Sequence, residues 1–224
     1  MSQTRRTYTL RKRAQAAEET RLSIIEAARR LLSDASYHDV SLDELAREAG
    51  VSRQTIYVQF GSKRGVLQAL AEHIERETYG QGMLAGVAGV SDPVRTIRRG
   101  LNDLMAFFGL NADLLRTFHA QAATDPDFGA VWQDRQQERW DAIHYLVEWA
   151  ARDQRLAPEW SIEEATDWLW SLTNFQRYDE LVMQRGWSPE RLIHHLEKAV
   201  DAVLLERADR LPSVAGSGTR LPDC

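Results

Sequence analysis

The twenty residues from Ser41 to Phe60, SLDELAREAGVSRQTIYVQF, constrain this chain more than any other stretch. They predict two short helices joined by a tight turn. Ser41 followed by Glu44 is a capping box, in which each side chain satisfies one orphan N–H at the helix start. Leu42, Leu45, Ala46 and Ala49 mark one apolar face at helical spacing. Gly50 is placed to end the helix in a left-handed conformation, and Ser52 to cap the next one. The second helix has Ile56 and Phe60 as apolar anchors. Its other face carries Arg53, Gln54, Thr55, Tyr57 and Gln59, types that bond phosphates and base edges. Capped helix pairs also occur in proteins that bind no DNA, so the surroundings decide. A helix over 20–33, with Ile24, Ile25, Ala28, Leu31 and Leu32, completes a three-helix unit, and a helix over 62–79 follows, beginning with Lys63 and Arg64.

Charge is distributed as phosphate binding requires. The formal net charge is −5, yet residues 1–70 hold 12 Lys+Arg against 8 Asp+Glu, and the remainder hold 16 against 25. Arg5, Arg6, Arg11, Lys12 and Arg13 precede the first acidic residue, Glu18. Residues 1–17 are therefore expected to be a disordered basic arm, able to order against phosphates or the minor groove.

The segment Arg21–Leu70 resembles the DNA-binding domain of the TetR family of bacterial transcriptional regulators. The resemblance rests on Ile25, Ala28 and Leu31, on Leu45-Ala46 and Ala49-Gly50-Val51-Ser52, and on Thr55-Ile56-Tyr57, Phe60, Ser62-Lys63 and Leu67. Trp170-Ser171-Leu172-Thr173 and Arg185-Gly186-Trp187-Ser188-Pro189 resemble one subgroup more loosely. The resemblance implies a cytoplasmic homodimer bound to a palindromic double-stranded DNA operator. It implies a repressor released by a small organic effector. Arg53 and Gln54 are then the candidate base readers, and Ser41, Thr55, Tyr57, Gln59 and Lys63 the candidate phosphate contacts. Asp43 departs from the pattern, because its charge repels phosphate.

Beyond residue 70 every signal is helical. Gly80, Gly82, Gly86 and Gly89 suggest a linker; their spacing does not fit a dinucleotide loop. Asp92-Pro93 opens a helix to about Phe108, Asn111 caps one to about Ala123, and Asp125-Pro126 opens one to about Asp153. Ser161 with Glu164 opens a helix to Arg185, and Ser188-Pro189 opens one to Arg207. No segment alternates as a strand does. The expected fold is all-α, with about nine helices: a helix-turn-helix domain over 18–70, a linking helix over 62–79, a larger effector and dimer domain over 71–210, and a disordered tail over 211–224.

Leu192, Leu196, Ala199, Val200 and Val203 form a stripe on the last helix, as do Trp168, Leu169, Leu172 and Phe175 on the one before. They suit a four-helix dimer interface built from 161–185 and 189–207, and equally an ordinary core. All seven tryptophans lie between 132 and 187, in a domain also rich in phenylalanine. Such a domain is expected to enclose an apolar pocket. Its candidate lining is Met105, Phe108, His119, Trp132, Gln136, Trp140, His144, Trp168, Asn174 and Phe175. The same residues would also close a dry core. No nucleophile, metal or cofactor motif is found, so neither an enzyme nor a cofactor is expected. His194 and His195 point about 100° apart on a helix and do not suit one metal. His73 and Glu77, four apart, suit a surface ion pair. No apolar run approaches a membrane span, no secretory signal is evident, and the one cysteine is Cys224. Two other readings stay open: a DNA-binding regulator controlled by a protein partner, and a small-molecule binding or sequestration protein.

Overall fold

A computed structural model describes residues 2–33, 40–79 and 92–204. Among them the chain is all-α. The elements are α1 (Ser2–Ser33), α2 (Leu42–Ala49), α3 (Arg53–Phe60), α4 (Lys63–Tyr79), α5 (Pro93–Leu110), α6 (Ala112–Ala122), α7 (Pro126–Arg152), α8 (Ile162–Leu172), α9 (Phe175–Tyr178) and α10 (Pro189–Leu204). A π-helical turn, Asp179–Gln184, continues α9.

The helix ends are written into the sequence. At α2, the Ser41 N–H donates to Glu44 Oε2 (2.9 Å) and the Glu44 N–H to Ser41 Oγ (3.2 Å). At its other end Gly50 has φ 66°. There the Val51 N–H reaches Ala46 O (2.9 Å) and the Gly50 N–H reaches Arg47 O (3.2 Å), which is the Schellman pattern. Asp92 and Asp125 cap α5 and α7 ahead of their prolines, and Ser161 with Glu164 repeats the capping box at α8.

Three expected features differ. Helix α1 already runs from Ser2, so residues 2–17, expected to be disordered, are helical. The segment 2–33 contains no Gly or Pro to stop a helix. Residues 11–19 are exposed, so over that stretch the helix rests mainly on its own backbone bonds. Asn111 makes no capping bond; its Nδ2 donates to Phe107 O (2.9 Å) at the end of α5 instead. The expected single helix over 161–185 is broken at Thr173-Asn174. Thr173 Oγ1 donates back to Leu169 O (2.8 Å), and Asn174 Oδ1 accepts from Arg177 N–H (2.8 Å), starting α9. The expected glycine linker and C-terminal tail lie outside the described residues.

The core of the first unit joins Ile24, Ile25, Leu32, Leu45, Ile56, Leu67 and Leu70, all buried. Its α1 packs on α6 and its α4 on α7. In the larger unit α7 and α8 lie together, and α10 closes against α5. Leu192, Leu196, Val200 and Val203 all face this interior. No tryptophan is fully buried, and Trp168 is 45% exposed. An indole N–H needs an acceptor, and partial burial keeps one within reach.

Candidate nucleic-acid interface and core cavity

Helix α3 turns Ile56 inward (0% exposed) and leaves Arg53, Gln54, Tyr57 and Val58 outward. Ser52 fixes its start: Thr55 N–H donates to Ser52 Oγ (3.1 Å), and the two hydroxyls lie 2.8 Å apart. Arg53 stands over the Tyr57 ring (5.7 Å) and meets Asp43 at 3.2 Å. The neighbouring Tyr57 side chain and the Asp43 charge push its pKa further up, so it is charged at any working pH. Asp43, read from sequence as a repulsive departure, thus orients the neighbouring arginine. Val58 is 76% exposed between Gln54 and the end of the helix. An apolar residue gives no sign of a DNA contact by its type; the signal in the sequence is its phase, two residues from Ile56.

The other candidate DNA residues are engaged within the chain. Ser41 Oγ also donates to Glu44 Oε2 (2.9 Å), and these bonds hold the Glu44 carboxyl below its ordinary pKa. Gln59 Nε2 donates to Ala17 O (3.4 Å). Lys63 is largely covered, with Nζ 2.6 Å from Asp125 Oδ2 and 5.1 Å from the centre of the Phe128 ring. Burial alone would raise the Asp125 pKa. The bond from Lys63 and those from the Asp127 and Phe128 N–H groups outweigh it, and the net shift is downward. Arg64–Asp134 (2.7 Å) and Arg135–Glu75 (3.4 Å) extend this seam between α4 and α7.

Two voids of about 80 Å³ each lie inside the larger unit. The front one is walled by α4, α5, α6, α7 and α9 and contains Phe107, Phe108, Phe118, Trp132 and Phe175. The rear one, walled by α5, α7, α8 and α10, contains Ile97, Leu101, Ile143, Leu146 and Leu169. Leu104 and Arg139 border both. Of the candidate ligand residues, Phe108, Trp132, Gln136 and Phe175 meet at the front void. Phe108 touches Phe175 edge-on, with ring centres 5.6 Å apart.

The others lie off the lining. Met105 is buried beside it, and His119 packs edge-on against Trp132 (5.2 Å). Asn174 is the α9 cap. Trp140 and His144 stack together (4.7 Å) and turn to α8: Trp140 Nε1–H donates to Asp167 (2.8 Å), and His144 Nδ1 lies 3.3 Å from Thr166 Oγ1. Trp168 leans on Trp160 at the surface (6.2 Å). The reason is helical phase. A step of four residues overshoots one turn by about 40°, so a stripe from 132 through 136 has left the cavity by 140 and 144. Arg139 and Ile143 take the inward positions, and sequence reasoning named neither.

Arg139 is 7% exposed, and it is the one charged residue in the buried set among the described residues. Its Nη1 donates to Trp170 O (2.8 Å), Thr173 O (3.1 Å) and Thr173 Oγ1 (2.9 Å), and its Nη2 donates to Gln136 Oε1 (3.0 Å). Burial brings its pKa down to about 10.

An outward helix, seated by a capped partner helix on a basic unit, defines a helix-turn-helix DNA-binding regulator. Comparison with known proteins names the group. Residues 24–70 match the description "Bacterial regulatory proteins, tetR family". The transcriptional regulator EthR of Mycolicibacterium smegmatis is 30% identical over 158 residues, 70% of this chain and 72% of that protein. EthR of Mycobacterium tuberculosis H37Rv is 32% identical over 142 residues, 63% of this chain and 65% of that protein. A TetR-family regulator from Rhodococcus shares the fold, with TM-score 0.68 and 16% identity over 84% of this chain and 99% of that one. The chain belongs to the TetR family. It is a helix-turn-helix transcriptional regulator, of a family of regulators rather than enzymes. Among the described residues no helix is long and apolar enough to cross a membrane.

Proposed function

We propose that this regulator is a homodimeric repressor released from a palindromic operator by a small apolar effector held beside α4. The observation that carries the reading is the double use of α4. Ala71, Ile74 and Glu75 of this helix wall the front void, and its first residue follows α3 after only Gly61 and Ser62. A molecule that parts α4 from α7 therefore moves the DNA-reading helix.

The size of the voids supports coupling. Each is about 80 Å³, roughly half the ~150 Å³ cavity that accepts benzene. A ligand larger than that must displace walls, and displacement is what gives it different affinity for two states. Arg53 and Gln54 read base edges, Val58 offers an apolar contact to a thymine methyl, and Ser41, Thr55, Tyr57 and Gln59 steady the phosphates. Lys63 joins the phosphate contacts when it leaves Asp125, so DNA binding and the α4–α7 seam compete for one cation. Residues 18–70 act as the DNA unit and 71–210 as the effector and dimer unit.

For the dimer, Trp168 and Met183 leave large apolar surfaces exposed, with half-buried Trp187 and Ile193 nearby in sequence on the same C-terminal elements. Two copies pairing through α8 and α10 would cover them. Sedimentation at micromolar concentration tests this, a monomer being contrary. Anisotropy with DNA from upstream of the gene, titrated with apolar compounds, tests release. Binding that no compound weakens would favour control by a protein partner.

A further inference from the structure

Arg139 gives the cavity a sign. The rear lining has one carboxylate, Asp103, which lies 3.8 Å from Arg99. The front lining has one, Glu75, which lies 3.4 Å from Arg135. Each carboxylate thus has its own arginine. Arg139, bordering both voids, has no carboxylate within ion-pair distance among the described residues. Its partners are neutral oxygens, and no charged group contributes to its shifted pKa. A buried cation without a counter-ion is costly, and such groups mark functional sites.

We infer that the effector is an organic monocarboxylate whose apolar body fills the aromatic front void and whose carboxylate pairs with Arg139. This rests on the effector reading above and specifies it. The guanidinium is already aimed: the Trp170 and Thr173 carbonyls hold Nη1, and the Trp170 ring lies 4.9 Å from its central carbon. A planar fork fixed in this way suits a carboxylate, which accepts parallel N–H bonds. Gln136 Oε1, on Nη2, is the neutral group the carboxylate would join or displace. The competing role is purely structural, with Arg139 serving only to hold carbonyls at the end of α8, where a cation is favoured.

The test uses three compounds that differ only in the polar end: hydrocinnamate, hydrocinnamamide and phenylpropylamine, titrated into the full-length protein by calorimetry. The expected result is a preference for the carboxylate over the amide of about tenfold or more, the scale of a charge-assisted hydrogen bond. Arg139→Gln should abolish the preference. Should that variant fail to fold, Gln136→Glu provides a second arm. It supplies the cation with a carboxylate from within, so it should fold at least as stably as the wild type and lose the preference. Equal binding of amide and acid, tighter binding of the amine, or an unchanged preference in Gln136→Glu would overturn the anion assignment and leave the cavity reading standing. Failure of all three compounds to bind would overturn both.

Discussion

The α2–α3 pair and the α7–α9 region are both helical, yet they are specified in different ways. In α2–α3 each boundary is set by a group a few residues away: Ser41 by Glu44, Gly50 by Ala46 and Arg47, Thr55 by Ser52. In α7–α9 the deciding contacts are remote. Arg139 bonds residues more than thirty positions on, and the cavity lining is drawn from five helices. A locally determined surface presents the same side chains in any state of the protein. A remotely determined cavity changes when its walls move, which suits it to sensing.

The largest expected effects would break the assignment of the remote region as well packed. Leu196→Asp puts a charge where the side chain is 5% exposed, and should cost more than about 4 kcal/mol, seen as loss of a cooperative thermal transition. Trp168→Glu, by contrast, should leave a folded chain that sediments as a monomer. A Trp168→Glu dimer would remove α8 from the proposed interface.

A second comparison separates dry core from cavity wall. Phe128 is 1% exposed and fills the α6–α7 angle against Phe118, so Phe128→Ala should cost about 3–5 kcal/mol in denaturant unfolding. Trp132→Ala, on the half-exposed wall of the front void, should cost less than half of that and alter which compounds raise the melting temperature. Equal losses would show that the front void is core in all but name.

The seam between the two regions gives a smaller effect. Asp125→Asn keeps an N-cap oxygen and removes the ion pair with Lys63. Freed, Lys63 should add about one phosphate contact, steepening the salt dependence of DNA binding by roughly one unit of slope. A shallower or unchanged slope would mean that Lys63 does not reach DNA. The Asp125 pKa is lowered on folding, so its contribution to stability is complete above the ordinary value of 3.8 and is lost as pH falls through the folded one. Acid unfolding of Asp125→Asn should accordingly lack that part of the pH slope.

What was legible in the sequence follows the same divide. The caps at Ser41, Ser52, Asp92, Asp125 and Ser161 could be read because the groups that make them are adjacent. The all-α class followed, as did the outward face of α3. The break at Thr173-Asn174 was harder to read: its Asn174 cap is local, but the Thr173 side chain that bonds back to Leu169 is also held by Arg139 from another helix. Along α7 only Trp132 and Gln136 of the expected stripe, about one turn apart, border the front void, and helical phase turns Trp140 away. Ser41→Ala, the smallest effect proposed, tests the legible part: it should cost about 1 kcal/mol in thermal unfolding.

Sequence reading is assigned to the exposed face of α3. It is tested most directly by fluorescence anisotropy of wild type and Gln54→Ala on DNA from upstream of the gene and on random duplex at matched salt. The expected loss is about 1–3 kcal/mol per affected contact on the upstream DNA, with random duplex binding unchanged. Equal losses on both DNAs would contradict it, leaving Gln54 as one more backbone contact.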